Sequence, residues 1–283
     1  MKFYCLGDIG YYNDCLKKTI DVIKNKIYEN KTDNDAIVLL GDNFYQIGVT
    51  GINDKQWNKF EDCFKNIDLP VYPLLGNHDY IANPFAQILY KKNNWNMPHW
   101  YYTKKYKFIQ FWWLDTQILA PNSGPNISRQ HIESRHYNTK ASILQERQLD
   151  WFENSLKKSD ALCKIVFGHY PIFSNGSYDN NSELISHILP LFKKYNVKFY
   201  ISGHDHNTQL IQKKYSNNYT LNQIICGSSA SFVHNISKRN EASYYLPCHS
   251  YVEIESNIDS KLPNLNVSCF DINNKNNCFS IKV

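Results

Sequence analysis

The 283-residue chain lacks the features that mark several large protein classes. No apolar run approaches the roughly 18 residues of a membrane-spanning helix, which argues against an integral membrane protein. Basic residues barely outnumber acidic ones, 31 to 26, and the net charge of +5 does not indicate a nucleic-acid partner. Hydrophobic residues make up 42% of the chain, so disordered and collagen-like classes are excluded as well.

Two sequence motifs of common phosphate and acyl chemistry are also missing. No glycine-rich loop ends in Lys-Ser or Lys-Thr, so the sequence does not predict a P-loop. No G-x-S-x-G elbow marks a serine hydrolase. The sequence therefore supports neither a P-loop mechanism nor a nucleophile elbow.

The cysteines and the first residues together predict a protein whose cysteines are free thiols. The eight cysteines form no C-x-x-C pair, and several lie inside apolar runs, as is typical of buried free thiols. The chain opens MKFYCLGD without the apolar stretch of an export signal, so a cytoplasmic location is the default expectation. One alternative stays open near the C-terminus, where a disulfide could join two of Cys248, Cys269 and Cys278.

Apolar runs alternate with helical spacings along the first 200 residues. Buried strands are predicted at 2–6, 36–40, 71–75, 108–114, 163–167 and 199–202. Helices are predicted from Asn13 or Asp14 through Ile27, from Asn53 or Asp54 onward, and at 145–156 and 183–195. Further strands are predicted at 208–213, 222–226, 249–254, 265–271 and 279–283. This order predicts one mixed α/β domain over residues 1–283.

Five polar clusters come directly after predicted strands, and each begins with a glycine. They are GD at 7–8, GDNFY at 41–45, GNHD at 76–79, GHY at 168–170 and GHDH at 203–206. Because ligands of open α/β sheets bind outside the carboxyl ends of the strands, we expect these clusters to converge there. Their carboxylate, amide, phenol and imidazole groups are all metal donors. A set of unrelated turn residues is the alternative, and the repeated strand–glycine–donor pattern weighs against it.

The converging side chains outnumber the ligands that one metal ion needs. Asp42 is the best candidate to bridge two ions, because it lies in the middle of the set and shares a turn with Tyr45. A phenol binds hard, highly charged ions only as phenolate, so Tyr45 indicates a trivalent ion, most simply Fe(III). An Fe(III) ion with a divalent ion carries a charge of about +5, and two carboxylates, one phenolate and a bridging hydroxide subtract about 4. The centre would keep a net charge of roughly +1, which favours an anionic phosphate substrate held by both ions. The seven predicted donors are Asp8, Asp42, Tyr45, Asn77, His169, His204 and His206.

The blocks GDIG, GDNFY, GNHD, GHYP and GHDH stand in the order found in metallophosphoesterases. Within that superfamily the chain resembles the purple acid phosphatases, and most of all their low-molecular-weight, tartrate-resistant type 5 group. Longer segments such as GDNFYQIGVTGINDKQW and GHDHNTQLI carry the resemblance, which extends to about residue 255. It implies a two-sheet mixed β-sandwich flanked by helices, and hydrolysis of phosphate monoesters by a metal-bound hydroxide.

The resemblance also implies a role for each matching residue. Three residues would hold Fe(III), with a fourth as the bridge: Asp8, Tyr45, His206 and the bridging Asp42. A divalent iron, zinc or manganese ion would be held by Asn77, His169 and His204. The substrate would contact Asn77, His78 and His204, and the catalytic role of His78 would be to bind the substrate or to protonate the leaving oxygen.

Local details separate this chain from its relatives. Many metallophosphoesterases begin with Asp-x-His, but Gly10 stands at the histidine position here, and the Tyr45 phenolate would supply the missing donor. That exchange favours the purple branch over the phosphodiesterases. Ile9 stands where an aromatic residue is common, so the wall of the site is expected to differ. The polar segment 121–136 is predicted to be an exposed loop and, by resemblance, one that covers the site.

Alternatives to an acid phosphatase stay open at this point. One is a phosphodiesterase or protein phosphatase on the same scaffold, and another is a redox-active di-iron protein without a hydrolytic role. The expected partner is a small phosphorylated molecule or a phosphopeptide, with no nucleic acid or membrane, and the expected state is a monomer. Asp79 and Asp205 are candidates to orient ligating histidines, and Asp205 could equally be an ordinary turn carboxylate. The remaining histidines are predicted to be surface or hydrogen-bonded residues: His99, His131, His136, His187, His234 and His249.

Overall fold

Strands and helices alternate through most of the chain. A computed structural model describes residues 1–123, 132–215, 218–234, 244–257, 264–273 and 277–282. The strands are β1 (Lys2–Leu6), β2 (Ala36–Leu40), β3 (Val71–Leu74), β4 (Tyr102–Tyr106), β5 (Ile109–Trp113), β6 (Cys163–Phe167), β7 (Phe199–Ser202), β8 (Thr208–Lys214), β9 (Thr220–Cys226), β10 (Tyr244–Leu246), β11 (Ser250–Ser256), β12 (Leu265–Asp271) and β13 (Asn277–Lys282). The α-helices are α1 (Asp14–Asn30), α2 (Gln56–Phe64), α3 (Phe85–Leu89), α4 (Thr116–Leu119), α5 (Ala141–Lys158), α6 (Ser182–His187) and α7 (Leu189–Tyr195).

The strands form two mixed sheets. The first has the order β13-β12-β11-β1-β2-β3, in which β1, β2 and β3 are parallel. The second has the order β10-β8-β9-β7-β6-β5-β4, with β5, β6, β7 and β9 parallel. Helices flank these sheets, so the predicted fold class of a two-sheet sandwich is confirmed.

Alternating side chains of the second sheet divide the core into two parts. Phe111 and Phe167 face the first sheet, and Phe111 stacks on Phe3 with a centroid separation of 4.5 Å. Trp112 and Val166 point the other way and pack with the helices. This period of two is the ordinary side-chain pattern of a strand. Burial on both faces explains why β5 and β6 read as nearly continuous apolar runs, each with one polar residue, Gln110 and Lys164.

Local chemistry sets the ends of several helices. The Asn13 side chain accepts a hydrogen bond from the Leu16 N–H, so Asn13 caps α1 and Asp14 is its first residue. The helix predicted from Asn53 or Asp54 starts later, at Gln56, because Asp54 instead closes a turn by accepting from the N–H of Gln56.

The continuous helix predicted at 183–195 is wrong, because the structure has two helices there. α6 ends at His187, and α7 carries a proline in its first turn. Proline has no N–H and its ring clashes with the preceding turn, so one uninterrupted helix is disfavoured at this point. The edge strands β4 and β10 and the short helices α3 and α4 were not predicted. The strand β4 has a mixed polar pattern, and β10, α3 and α4 are too short to show a period.

The structure agrees with the predicted cysteine state. All eight cysteines are free thiols, including the three near the C-terminus that a disulfide could have joined.

Across the part of the chain that is described, no helix has the length and apolarity needed to cross a bilayer. Of the predicted loop at 121–136, residues 124–131 lie outside the described residues, and a π-helical segment, Ile132–Tyr137, follows them.

Candidate metal centre

Five loops at the carboxyl ends of strands carry the predicted donors. Asp8, Asp42 and Asn77 follow β1, β2 and β3 of the first sheet, while His169 and His204 follow β6 and β7 of the second. All five side chains are buried. Because the two sheets face each other, their strand ends place these loops side by side, as expected for parallel strands.

The loops need unusual backbone geometry to point their side chains inward. Asp8, Asp42 and His204 have φ values of 56°, 52° and 68°, in the left-handed region that non-glycine residues seldom occupy. Such strain is common at functional sites. Glycine is required beside them, since a Cβ on Gly76 would lie 2.2 Å from Oδ1 of Asp42. A Cβ on Gly41 would lie 2.6 Å from Nδ1 of His169.

The hydroxyl of Tyr45 is the meeting point of one half of the site. It lies 3.0 Å from Oδ1 of Asp8 and 3.0 Å from Oδ2 of Asp42. Nε2 of His206 lies 3.1 Å from the same hydroxyl and 3.4 Å from Oδ1 of Asp8. Four residues from three loops therefore direct oxygen or nitrogen donors at one small volume.

His169 is the centre of the other half. Its Nδ1 lies 2.8 Å from the carbonyl oxygen of Leu40, which can only accept, so Nδ1 carries the proton. Nε2 is then left as an acceptor, 3.1 Å from Oδ1 of Asn77 and 3.5 Å from Oδ1 of Asp42. The ring of His204 lies 5.0 Å from that of His169, centroid to centroid. Asp42 thus contacts both halves, with one carboxylate oxygen for each.

The charges of this cluster fit a multivalent cation. Asp8 and Asp42 are buried, and no lysine or arginine among the described residues forms an ion pair with either. Burial, followed by the charges of Asp42 and Asp8, raises the pKa of Tyr45 well above its ordinary value, so a phenolate there needs added positive charge. Donor atoms of Asp8, Asp42 and His169 lie within 4.8 Å of one another. The donor set therefore suits a metal centre.

The two histidines after β7 have opposite electrostatic surroundings. Burial, and then the neighbouring imidazoles, lower the pKa of His204 well below its ordinary value, so its ring is a neutral donor. Burial also acts to lower the pKa of His206, but the hydrogen bond and charge of Asp8 outweigh it and raise the pKa overall. Nδ1 of His206 is buried and has no hydrogen-bond partner among the described residues.

His78 borders the cluster and is partly open to solvent. Its backbone N–H donates to Oδ1 of Asp42 at 2.9 Å, and its Nδ1 lies 2.5 Å from the carbonyl oxygen of Gln46. That carbonyl fixes the proton on Nδ1, so the other ring nitrogen, Nε2, is the one that lies near the donors. Nε2 is 4.0 Å from Oδ2 of Asp42. His78 is thus oriented from both its backbone and its ring.

Asp79 does not orient a histidine, and that prediction is wrong. Its buried carboxylate accepts from the backbone N–H of Asn43 at 3.1 Å and of Gly76 at 2.9 Å. Gln87 donates a third hydrogen bond to it at 2.7 Å. Burial, followed by the charge of Asp42, raises the pKa of Asp79 to about 6. Asp79 therefore ties together the two turns that carry Asp42 and Asn77.

The carboxylate of Asp205 holds a neighbouring loop, because its Oδ2 accepts a hydrogen bond from the hydroxyl of Ser174.

Among the other histidines, His234 stacks on His206 with centroids 4.5 Å apart, and its backbone N–H donates to the carbonyl of His206. His136 and His249 form hydrogen bonds with backbone carbonyls, whereas His99 is exposed and His187 half-buried. His131 lies outside the described residues.

Two supporting residues were missed by the sequence analysis. Ser231 donates to the carbonyl of Asp8 at 2.8 Å and lies 3.5 Å from the hydroxyl of Tyr45. Thr116 accepts from the N–H of His169 at 3.1 Å through its hydroxyl. A signal for Ser231 does exist in the sequence, because Gly227 follows β9 directly and repeats the strand–glycine pattern of the five clusters. Thr116 gives no such signal.

Comparisons with protein families and with known proteins identify relatives of this chain. The family model described as calcineurin-like phosphoesterase matches residues 1–208. Human tartrate-resistant acid phosphatase type 5 is 35% identical over 247 residues, which are 78% of this chain and 73% of that protein. Purple acid phosphatase 3 of Arabidopsis thaliana is 29% identical, and the match covers 77% of this chain and 60% of that protein.

A solved structure shares the fold over the whole chain. It is described as GAP50, the anchor in the inner membrane complex of Plasmodium, and superposes with a TM-score of 0.79 at 25% sequence identity. The superposition covers 100% of this chain and 88% of that one. The family model spans more than half of the chain, and the human relative exceeds 30% identity. The chain therefore belongs to the calcineurin-like phosphoesterases, is a hydrolase of their purple acid phosphatase family, and has the fold of that family.

Proposed function

We propose that this chain is a dinuclear metal-dependent acid phosphatase that hydrolyses phosphate monoesters. The observation that carries the proposal is the position of Asp42, whose two carboxylate oxygens reach both donor groups. Oδ2 lies 3.0 Å from the hydroxyl of Tyr45, and Oδ1 lies 3.5 Å from Nε2 of His169. A carboxylate shared between two donor sets is the arrangement that a pair of ions requires.

In this proposal the two halves hold different ions. The phenol-containing half would hold Fe(III), because a buried phenolate requires high positive charge, and its residues are Asp8, Tyr45, His206 and the shared Asp42. The neutral half would hold a divalent iron, zinc or manganese ion through Asn77, His169 and His204. When bound, such a pair supplies Lewis-acid activation of the phosphate and of a water molecule.

The protein's own groups would position the ester and handle the leaving-group proton. Asn77, His78 and His204 border the volume where the phosphate would sit, and His78 is the one of them that is partly open to solvent. Since Gln46 fixes the proton on Nδ1, a protonated His78 would present its second proton on Nε2. We infer that Nε2 donates this proton to the leaving oxygen as a general acid.

Turnover measured across pH, paired with elemental analysis, tests this function. We expect purified protein grown with iron to contain two metal ions per chain and to hydrolyse a monoester faster than a diester. A faster diester would indicate a phosphodiesterase, and exclusive action on a phosphopeptide would indicate a protein phosphatase. Metal-loaded protein that releases no phosphate but forms radicals with peroxide would contradict the proposal. The monomeric state stays a prediction, which the mass in solution would check.

A further inference from the structure

Two cysteines lie side by side at the edge of the first sheet, one in β12 and one in β13. Cys269 is opposite Phe279. The next pair along the two strands is Phe270 with Asn277, which leaves Cys278 as the extra residue of a β-bulge. Strict alternation would place Cys278 on the face away from Cys269, because successive side chains of a strand point to opposite faces. The bulge turns Cys278 back, and the thiol of Cys269 donates a hydrogen bond to its sulfur.

The sulfur of Cys278 receives hydrogen bonds from three donors. They are the thiol of Cys269, the backbone N–H of Asp271 and the hydroxyl of Tyr244. The ring of Tyr244 packs edge-on against Phe279 with centroids 5.4 Å apart, so its hydroxyl is held near the sulfur. Hydrogen bonds donated to a sulfur favour its thiolate form, because they stabilise the negative charge.

The two thiols differ in how readily they ionise. The hydrogen bond from Cys269 outweighs burial and lowers the pKa of Cys278 to about 7, and Cys278 is partly exposed. Cys269 is fully buried, and burial, followed by that same hydrogen bond, raises its pKa well above the ordinary value. Oxidation-sensitive cysteines typically combine an accessible thiolate with a second thiol beside it.

The other two partly exposed cysteines lack this combination. Burial raises the pKa of Cys63 to about 12, so Cys63 stays a thiol at neutral pH. The sulfur of Cys15 lies 3.4 Å from Nε2 of His249, so its hydrogen-bond partner is an imidazole and not a second thiol. Of the three, Cys278 is therefore the one that is placed for disulfide chemistry within the chain.

We propose that Cys269 and Cys278 are a redox-sensitive pair, which a low-molecular-weight disulfide such as oxidised glutathione converts into an internal disulfide. The thiolate of Cys278 attacks one sulfur of the oxidant, which releases one glutathione thiolate and leaves a mixed disulfide on Cys278. Cys269 then loses its proton and attacks the sulfur of Cys278, which releases the second glutathione. Two protein thiols are oxidised, one glutathione disulfide is reduced, and the two protons pass to the released glutathione thiolates.

The spacing of the strands suits this bond. Neighbouring strands lie about 4.8 Å apart, and a disulfide needs Cα atoms that are roughly 4.4 to 6.8 Å apart. A thiol whose pKa is close to the ambient pH is also the best attacking group in thiol–disulfide exchange, and Cys278 meets that condition. The product would join the edge strand β13 covalently to β12.

Equilibrating the full chain in mixtures of oxidised and reduced glutathione tests the proposal. After acid quenching and alkylation in denaturant, peptide mass spectrometry counts the free thiols and locates each disulfide. We expect the oxidised wild type to lose two of its eight free thiols, to contain a disulfide between Cys269 and Cys278, and to regain both thiols with a reductant. Cys63→Ser changes another partly exposed cysteine and is a matched control that keeps this disulfide.

Two variants separate the steps of the exchange. Cys278→Ser removes the attacking thiol, so neither a mixed nor an internal disulfide should form at this edge of the sheet. Cys269→Ala removes the second thiol, so the reaction should stop with one glutathione bound to Cys278. The wild-type map is informative by itself if the buried alanine prevents folding. A wild type that keeps all eight thiols, that stops at the mixed disulfide, or that pairs Cys278 with Cys248 would overturn the proposal.

Discussion

The hydroxyl of Tyr45 lies 3.1 Å from Nε2 of His206, although 161 positions separate the two residues in the chain. The same hydroxyl is 3.0 Å from a carboxylate oxygen of Asp8 and of Asp42. A phenol so buried and so close to two carboxylates has a raised pKa and stays protonated unless positive charge is added. Tyr45 is therefore the residue at which the metal assignment is most directly measurable.

Tyr45→Phe is expected to abolish the visible absorption of iron-loaded protein. The substitution removes the phenolate oxygen but keeps the ring that packs against Tyr11 and His78. Absorption spectra with parallel iron analysis check this. Tyr12→Phe is a matched control, since the hydroxyl of Tyr12 is buried without a hydrogen-bond partner among the described residues. A coloured Tyr45→Phe protein, or an active, iron-loaded wild type without colour, would contradict the assignment.

Asp42→Asn and His169→Ala are each expected to lower phosphatase turnover by at least roughly 100-fold. Removing a residue that only hydrogen-bonds to a metal ligand already lowers metal affinity or activity by about 10- to 100-fold, so removing a ligand itself should lower them at least as much. Both variants should also retain less metal after dialysis, which elemental analysis measures. His99→Ala is the control, because that histidine is exposed. Wild-type turnover in both variants would refute the site.

His78→Asn is expected to reduce turnover mainly for esters with poor leaving groups. If Nε2 of His78 protonates the leaving oxygen, its loss should cost about 10²- to 10⁴-fold with an alkyl phosphate. An ester of an acidic phenol needs little protonation, so the loss there should be much smaller. Steady-state kinetics with a series of phenyl esters measures this dependence. Equal losses across the whole series would assign His78 to substrate binding alone.

Asp115→Asn is expected to change the pH dependence of stability. Burial raises the pKa of Asp115 to about 7, although Tyr80 donates a hydrogen bond to it. Between its unfolded pKa near 4 and about 7, only the folded state holds the proton, so the free energy of unfolding falls as pH rises. The contribution of this proton to the free energy of unfolding is fully present below the pKa of the unfolded state. Above pH about 7 the folded state has lost the proton as well, so no further loss occurs.

The size of that loss is on the order of 4 kcal/mol at most. Asparagine keeps an acceptor for the N–H groups of Gln117 and Ile118, which Asp115 caps at the start of α4. The difference in unfolding free energy between wild type and variant, measured by denaturant titration from pH 4 to 8, should therefore shift in favour of the variant as pH rises. A difference that stays constant across this range would show that Asp115 folds with its carboxylate ionised.

Elements with a clear apolar pattern were predictable from the sequence, including the edge strands β3 and β13, whereas the edge strands β4 and β10 and the short helices α3 and α4 were not. The strands 36–40 and 265–271 have the predicted bounds. The first is an apolar run between turn residues, and in the second apolar and polar residues alternate from Leu265 to Cys269; both patterns are typical of strands. The strand Tyr102–Tyr106 has a mixed polar pattern and was missed. It forms because it pairs with β5 at the edge of the sheet, which is a contact that no local pattern contains.

The sequence by itself determined which donors exist and that each follows a strand, because glycine turns and apolar runs are local features. Only the tertiary structure decided which donors meet. His169 reaches Asn77 across 92 positions, and Tyr178 covers His204, because the two sheets pack face to face and their strand ends share one edge. The prediction that Asp79 orients a histidine failed because its partners, backbone groups of two neighbouring turns, are set by tertiary structure. Spacing along a chain sets the chemistry of each turn, whereas distances between turns depend on how the sheets pack.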